Sequence, residues 1–297
     1  MDKIPLVSIL IVTRNRRRDL VRAIRSALLQ DYPRCEVVVV DNASSDGTAE
    51  MVRQDFSEVR LICSHKNLGC PSGRNLGFVN CRGKYIFLLD DDGWLEENAL
   101  DVSVKRAEAD ESLAVVLSAI HEEDHDAVRI RPEGNVPMYI NSFVGCCALI
   151  RREALLQVGL FPDDFFRQAE EEDLAIRLLD AGWFCFFEPQ SIMYHSQSVV
   201  GRDLKAFEYY SIRNTTKTAL RLWPFPYNVA RVLVNGLHGF RILFTRGDLR
   251  TFVRLSMNLF HDVLYLKGKR RPVGIKTLRL FMHLQKYPSR NRPKHYP

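Results

Sequence analysis

VSILIVTRNRRRDLVRAIRSALLQDYPRCEVVVVD, Val7 to Asp41, holds two apolar runs of strand length separated by a helical pattern. The first run, 6–13, is rich in Val and Ile. Over 18–30, Leu20, Ala23, Ile24, Ala27 and Leu28 recur at the spacing of one helix face. The second run, 35–41, is continuous rather than alternating. Continuous apolar strands belong to sheets buried on both faces, and parallel neighbours need a crossover of this kind.

The alternation continues downstream. VRLICS (59–64) and KYIFLLD (84–90) read as the third and fourth strands. PSGRNLGFVNC (71–81) reads as a helix opening on Pro71, and LEENALDVSVKRAEA (95–109) as another. Repeating units of about 25–35 residues predict an α/β fold, a mostly parallel sheet flanked by helices. LAVVLSAI (113–120) is a further strand, and 121–138 a polar loop with room for a short hairpin. Residues 142–159 read as strand then helix, 169–183 as a helix with an acidic first turn, and 183–195 as one or two short strands ending at His195.

From about residue 200 the character changes. Segments 203–223, 227–244, 248–266 and 274–285 read as helices, punctuated by Pro224, Pro226, Gly247 and the GKRRP turn. Residues 200–297 carry 20 Lys/Arg against 4 Asp/Glu, a balance of +16. The first 199 hold the remaining 22 basic and 32 acidic residues, a balance of −10. This asymmetry inside a chain of net charge +6 points to two jobs. The tail suits packing on the catalytic part with a basic outer face, or binding of basic amphipathic helices to an anionic membrane surface. Nucleic acid is not expected as a partner, because no recognisable module occurs and the acidic front repels phosphate.

At 46% hydrophobic, the chain is neither disordered nor membrane-spanning in composition. VSILIVT is seven residues and precedes RNRRR, the wrong order of charge and apolar core for a secretory leader. No apolar run approaches the ~20 residues of a transmembrane helix. The seven cysteines show no CxxC spacing, so reduced thiols of a cytoplasmic protein are expected.

In sheets of this class ligands bind beyond the carboxyl ends of strands. Polar residues gather there: Thr13, Arg14 and Asn15, then Asp41 and Asn42, then Asp90, Asp91 and Asp92. Three consecutive aspartates suit a hard divalent cation that also meets phosphate oxygens, or simply a solvated acidic loop. Asp41 is placed to accept hydrogen bonds from a nucleoside, and equally suits an Asx turn with Asn42 and Ser44. SSDGT has neither GxGxxG nor GxxxxGK, which argues against a Rossmann dehydrogenase and a P-loop NTPase. The run Glu170, Glu171, Glu172, Asp173 exceeds what the helix dipole alone explains and offers a general base.

In order, VSILIVT…CEVVVVDNASSDGT, NLGCPSGRNLG, YIFLLDDDGWL, GCCALIRREALLQVGLFPDDFF, EEEDLAIRLLDAGW and His195 resemble the inverting family 2 glycosyltransferases of GT-A fold, over residues 5–200. The resemblance implies a nucleotide-sugar donor (UDP-, dTDP- or GDP-sugar), a divalent Mg²⁺ or Mn²⁺, and a hexosyl- or deoxyhexosyl-transferase. Thr13 and Asp41 match nucleoside contacts, with Asn15 beside them, and Arg74 matches a segment lining the donor site. Asp90 and Asp92 match the outer members of a DxD motif and are the expected metal ligands; Asp90 and Asp91 are also expected on the nucleotide-sugar, Asp91 being the more dispensable. His195 matches a histidine that completes the metal site. Glu170 and Glu171 match the acidic pair that holds the base; Glu171 is the expected base, with Glu170 and Glu172 as alternatives.

The expected organisation is a catalytic domain at 1–200 and a basic helical region at 201–297 on the inner face of the cell membrane. The expected acceptor is a hydroxyl of a glycan or lipid-linked molecule in cell-surface polysaccharide synthesis, and homo-oligomerisation is left open. Two rivals stand beside this reading. One is a catalytically inactive homologue that binds glycan or nucleotide. The other is a nucleotidyltransferase, which would use RNRRR (14–18) as a basic phosphate loop.

Overall fold

The computed structural model describes residues 4–122, 135–196, 204–246, 249–266 and 268–293. Strands β1 (Val7–Thr13), β2 (Cys35–Asp41), β3 (Arg60–Cys63) and β4 (Tyr85–Asp90) lie in the order β3-β2-β1-β4, all parallel. Helices α1 (Arg17–Leu28), α2 (Thr48–Asp55) and α3 (Cys70–Asn80) make the crossovers. β1 is buried along nearly its whole length, as its unbroken Val/Ile run requires. The α1 stripe of Leu20, Ala23, Ile24 and Ala27 is fully buried.

The second half of the sheet changes direction. It contains β5 (Gly93–Leu95), β6 (Leu113–Glu122), β7 (Met138–Ile140), β8 (Cys147–Arg151) and β9 (Phe184–His195). The order continues β4-β8-β6-β9-β5, with β7 also on β9. Here, among the described residues, β6–β9 is parallel and β4–β8, β6–β8, β5–β9 and β7–β9 are antiparallel. The sheet is therefore mixed, its parallel half being the one the crossover helices build. Of segment 183–195, Phe184–His195 forms a single long strand, whose register to β6 shifts between Ser118 and Ala119. Of the polar loop expected at 121–138, residues 123–134 lie outside the described residues.

Three further helices complete this part: α4 (Ala99–Ala109), α5 (Arg152–Val158) and α6 (Glu170–Asp180). The sheet order reverses at β1, whose neighbours are β2 on one side and β4 on the other. Parallel register aligns Thr13 with Asp41 and Val12 with Asp90. The polar residues at these strand ends thus meet at one rim, where such folds bind ligands.

The tail forms α7 (Leu204–Leu222), α8 (Tyr227–Arg246), α9 (Leu249–Leu266) and α10 (Ile275–Lys286). The four helices differ in how they pack. α10 buries Leu278, Phe281 and Leu284 in the main core. Thr277 Oγ1 and the Gly274 N–H donate to the Asp180 carboxylate at the end of α6 at 2.7 and 3.1 Å. On α7, Lys217 and Arg221 both pair with Asp164, and Arg213 makes a two-pronged pair with Asp262 of α9. α8 and α9 instead turn apolar stripes outward, with Leu237 70% and Met257 69% exposed.

Candidate active site

β4 runs out at Asp90, and Asp91 and Asp92 form the turn into β5. That turn folds β5 onto the end of β9, pairing Gly93 with His195. The Ser196 N–H donates to the Asp92 carbonyl at 3.1 Å and closes the corner. Asp90, Asp92 and His195, distant in sequence, each offer a ligand atom within 4.8 Å of the others. His195 Nε2 lies 2.9 Å from Asp92 Oδ1. Two carboxylates and an imidazole fit a divalent ion such as Mn²⁺. Crowding of like charge is the condition a cation relieves.

Each aspartate has a different environment. The Asp90 side chain is 40% exposed and reaches Arg74 Nη2 at 3.4 Å. Although the side chain stays partly open, desolvation at the strand end, with Asp92 and Glu171 nearby, raises its carboxyl, and Arg74 opposes the rise. Asp91 points inward, and burial pushes its carboxyl up to about 7 despite Arg16. Asp92 is buried yet bonded on both oxygens, by Arg16 and His195. Arg16 Nη1 donates to Asp91 Oδ1 at 2.9 Å and Asp92 Oδ2 at 2.6 Å. Arg16 therefore offsets part of the triplet's charge, a role not read from the sequence.

The nucleoside side is framed by the ends of β1 and β2. Thr13 and Asp41 are both buried at the sheet rim. The Ser44 N–H, three residues on, lies 3.3 Å from both Asp41 carboxylate oxygens, so the Asp41 side chain braces the turn after β2. Asn15 sits in the left-handed region, φ +54°. Its amide N–H donates to Ser44 Oγ at 2.9 Å, and its side-chain oxygen accepts from Ser45 N–H at 2.8 Å. Asn15 thereby ties the loop after β1 to the loop after β2.

Arg74 connects the donor side to α6. Its side chain is 7% exposed. Nη1 donates to Glu170 Oε1 at 3.1 Å and to Glu171 Oε1 at 3.0 Å, while Nη2 reaches the Gly145 carbonyl at 2.9 Å. The Gly145 N–H donates to Glu171 Oε1 at 3.1 Å. A Cβ at position 145 would lie 2.4 Å from both Arg74 Nη1 and Glu171 Oε1, so only glycine lets this pair rest on the backbone. Glu170 is buried, its Oε2 has no hydrogen-bond partner among the described residues, and burial next to Glu171 raises its carboxyl to about 7. The Glu171 side chain is 18% exposed. Burial raises the Glu172 carboxyl and Arg231 of α8 opposes the rise, which separates it from the Arg74 cluster.

Residues 8–159, just over half of the chain, match the family model described as Glycosyl transferase family 2. The chain belongs to this family. It is 34% identical to the chondroitin synthase of Escherichia coli over 142 residues, 47% of this chain and 21% of that one. It is 25% identical to the succinoglycan biosynthesis protein ExoO of Rhizobium meliloti (strain 1021), over 100% of this chain and 93% of that one. The chain thus spans about a fifth of the first relative and nearly all of the second. Among solved structures, S. aureus TarS 1-349 in complex with UDP-GlcNAc superposes with TM-score 0.65 at 16% identity, covering 95% of this chain and 87% of TarS. The mannosyltransferase PcManGT from Pyrobaculum calidifontis, in complex with GDP-Man and Mn2+, superposes with TM-score 0.60 at 20% identity over 96% and 85%. These likenesses show the fold, which is the GT-A fold of glycosyltransferases.

All the site residues expected from the sequence of this glycosyltransferase gather at one sheet rim and the facing end of α6, with Asp91 turned inward and Glu172 apart. Arg16, Gly69 and Gly145 are the additions. Gly69 adopts φ +81°, and a Cβ there would lie 2.3 Å from the Phe166 carbonyl. It brings the start of α3, and so Arg74, against the loop before α6. The one sequence signal for Arg16 was its place in RNRRR directly after β1.

Proposed function

We propose that this glycosyltransferase moves a sugar from a nucleoside-diphosphate donor to a hydroxyl of a glycan or lipid-linked acceptor, with inversion, in cell-surface polysaccharide synthesis. The observation that carries the reading is Arg74, one buried guanidinium that touches Asp90 on the donor side and Glu171 on the acceptor side. Thr13, Asn15 and Asp41 would hold the nucleoside. Asp90, Asp92 and His195 would hold Mn²⁺ or Mg²⁺, the imidazole favouring Mn²⁺. Bound there, the ion would supply charge neutralisation for the leaving diphosphate. Glu171, at the partly open end of the cluster, would take the acceptor proton on the opposite face of the sugar; inverting hydrolases use the same arrangement with water. The names of the relatives, a chondroitin synthase and a succinoglycan biosynthesis protein, support a polysaccharide product.

The test is a screen of UDP-, GDP- and dTDP-sugars with Mn²⁺ or Mg²⁺, read by thermal shift and by turnover. One donor should raise Tm only with metal and be consumed. A null result across all donors with both metals would sink the reading. Against the nucleotidyltransferase rival, Arg16 of RNRRR is engaged by Asp91 and Asp92 rather than presented as a phosphate loop. Against the inactive-homologue rival, Asp90, Asp92 and His195 converge as a cluster able to hold a metal, and the acid pair faces Arg74.

The reading includes peripheral attachment to the inner face of the cell membrane. Among the described residues, no helix is long and apolar enough to cross a membrane. The support is on α8 and α9, where Leu237, Phe240, Met257 and Phe260 are more than half exposed. Arg241, Arg250 and Arg254 are exposed on the two helices, and the acid they carry, Asp262, is buried against Arg213. Exposed apolar stripes rimmed by arginine suit an anionic bilayer surface. The protein should sediment with vesicles containing anionic lipid. Replacing Leu237, Phe240, Met257 and Phe260 together by Glu should weaken binding by about 10-fold or more, since each buried apolar side chain is worth about 1.5–3 kcal/mol. Unchanged sedimentation of that variant would remove these helices as the anchor.

A further inference from the structure

We infer that Asn214 of α7 is a positioning residue for the acid pair at the start of α6. The inference rests on the glycosyl-transfer reading for its kinetic consequence, and on geometry alone for its structural one.

The chain enters α6 by an unfavourable route. Gln168 and Ala169, consecutive residues with side chains, both lie in the left-handed region at φ +71° and +63°. Such backbone persists only where its surroundings hold it. Ala169 is also the N-cap of α6 and provides no side-chain cap. The helix start is therefore not fixed by its own sequence.

Asn214 fixes it from outside. Its Nδ2 donates to the Arg167 and Gln168 carbonyls, both at 2.8 Å. Asn214 is only 2% exposed, so the amide has no water to satisfy it in their place. One turn along α7, Lys217 Nζ donates to the Asp164 carbonyl at 2.9 Å. One turn the other way, the Tyr210 ring lies over Phe166 with centroids 5.7 Å apart. From the opposite side, the Cys70 N–H of α3 donates to the Phe166 carbonyl at 2.9 Å. The loop is thus clamped between the donor-side helix and α7. Glu170 and Glu171 follow it directly.

An asparagine is a poor choice inside a helix, because its amide competes for the local backbone. On α7 both N–H groups of Asn214 are spent on another element, which accounts for its presence. Its side-chain hydrogen bonds go to the loop, at Arg167 and Gln168, and not to Arg74 or the acids. It sets where α6 begins, and so where Glu171 points. A misplacement of ~1 Å of a reacting group costs about 10²-fold in rate.

The test compares Asn214→Ala with Asn235→Ala in the full chain. Asn235 of α8 is also buried, and its Nδ2 donates to Thr215 and Thr216 Oγ1 of α7 at 3.0 and 2.9 Å. Its hydrogen bonds support the same helix rather than the loop. N214A should lower kcat about 10- to 100-fold, leave donor KM within about twofold and keep the nucleotide–Mn²⁺ thermal shift. N235A should lower Tm comparably and leave kcat within about threefold. Independently of turnover, amide hydrogen exchange over 168–173 should accelerate in N214A and not in N235A. If N214A does not fold, Asn214→Asp, of the same shape but without the donors, takes its place. Unchanged exchange in the Asn214 variant, or a loss of kcat in both variants in proportion to Tm, overturns the inference. Wild-type protein that turns over no donor counts against the function instead, and the exchange result still decides the role of Asn214.

Discussion

Asp92→Asn should abolish metal-dependent turnover, with a loss of about 10³-fold in kcat. Metal-assisted charge stabilisation is worth several kcal/mol and each 1.4 kcal/mol is about a factor of ten, which sets that scale. The substitution keeps the shape of a buried side chain and removes its charge. In the wild type, Asp92 accepts from Arg16 at 2.6 Å and meets His195 at 2.9 Å. It therefore serves as a candidate ligand and also orients the histidine beside it. Such partners of a ligand are themselves worth about 10- to 100-fold in metal affinity. The Mn²⁺-dependent thermal shift should disappear along with turnover. Asp91→Asn makes the contrast. Asp91 is one residue away, bonds Arg16 and lies outside the ligand group, so its loss should cost less than about 10-fold. A D92N protein that keeps turnover within tenfold of wild type would refute the ligand assignment.

The difference between these neighbours marks the limit of what the sequence made legible. Three adjacent aspartates at the end of an apolar run point to a charged rim, but only the β4–β5 turn decides which side each faces. β1, β2 and β4 were readable because strands buried on both faces are written as unbroken apolar runs. β5 and β7, three residues each, are too short to show a period. Strand direction beyond β4 was not readable, since it depends on neighbours far along the chain. The acids of the site stood out as charges at strand and helix ends. Arg16, Gly145 and Asn214 did not, because each acquires its role from a partner 75, 26 or 46 residues away. The tail read correctly as four helices. Its division into packed and exposed pairs depended on which stripes the core covers.

Glu171→Gln should leave donor and metal binding intact and lower kcat for transfer by about 10²–10⁴-fold, the usual contribution of a positioned base. Arg74 and Gly145 both donate to Glu171 Oε1, which a glutamine oxygen can still accept. The fold and the donor side should therefore survive, and donor KM should hold. Glu170→Gln separates the two acids. Glu170 is buried and its carboxyl sits at about 7, so it lacks the solvent-facing position of Glu171. Its substitution should cost kcat less than about tenfold, and it carries a stability signature of its own. A carboxyl raised from 4.5 to about 7 contributes stability that is present below about pH 4.5 and is lost as pH rises through about 7. The wild type gives up that stability across the window, and E170Q does not. The Tm of E170Q relative to wild type should therefore climb between pH 5 and pH 8. E171Q with near-normal transfer, and E170Q without it, would move the base one residue back along α6.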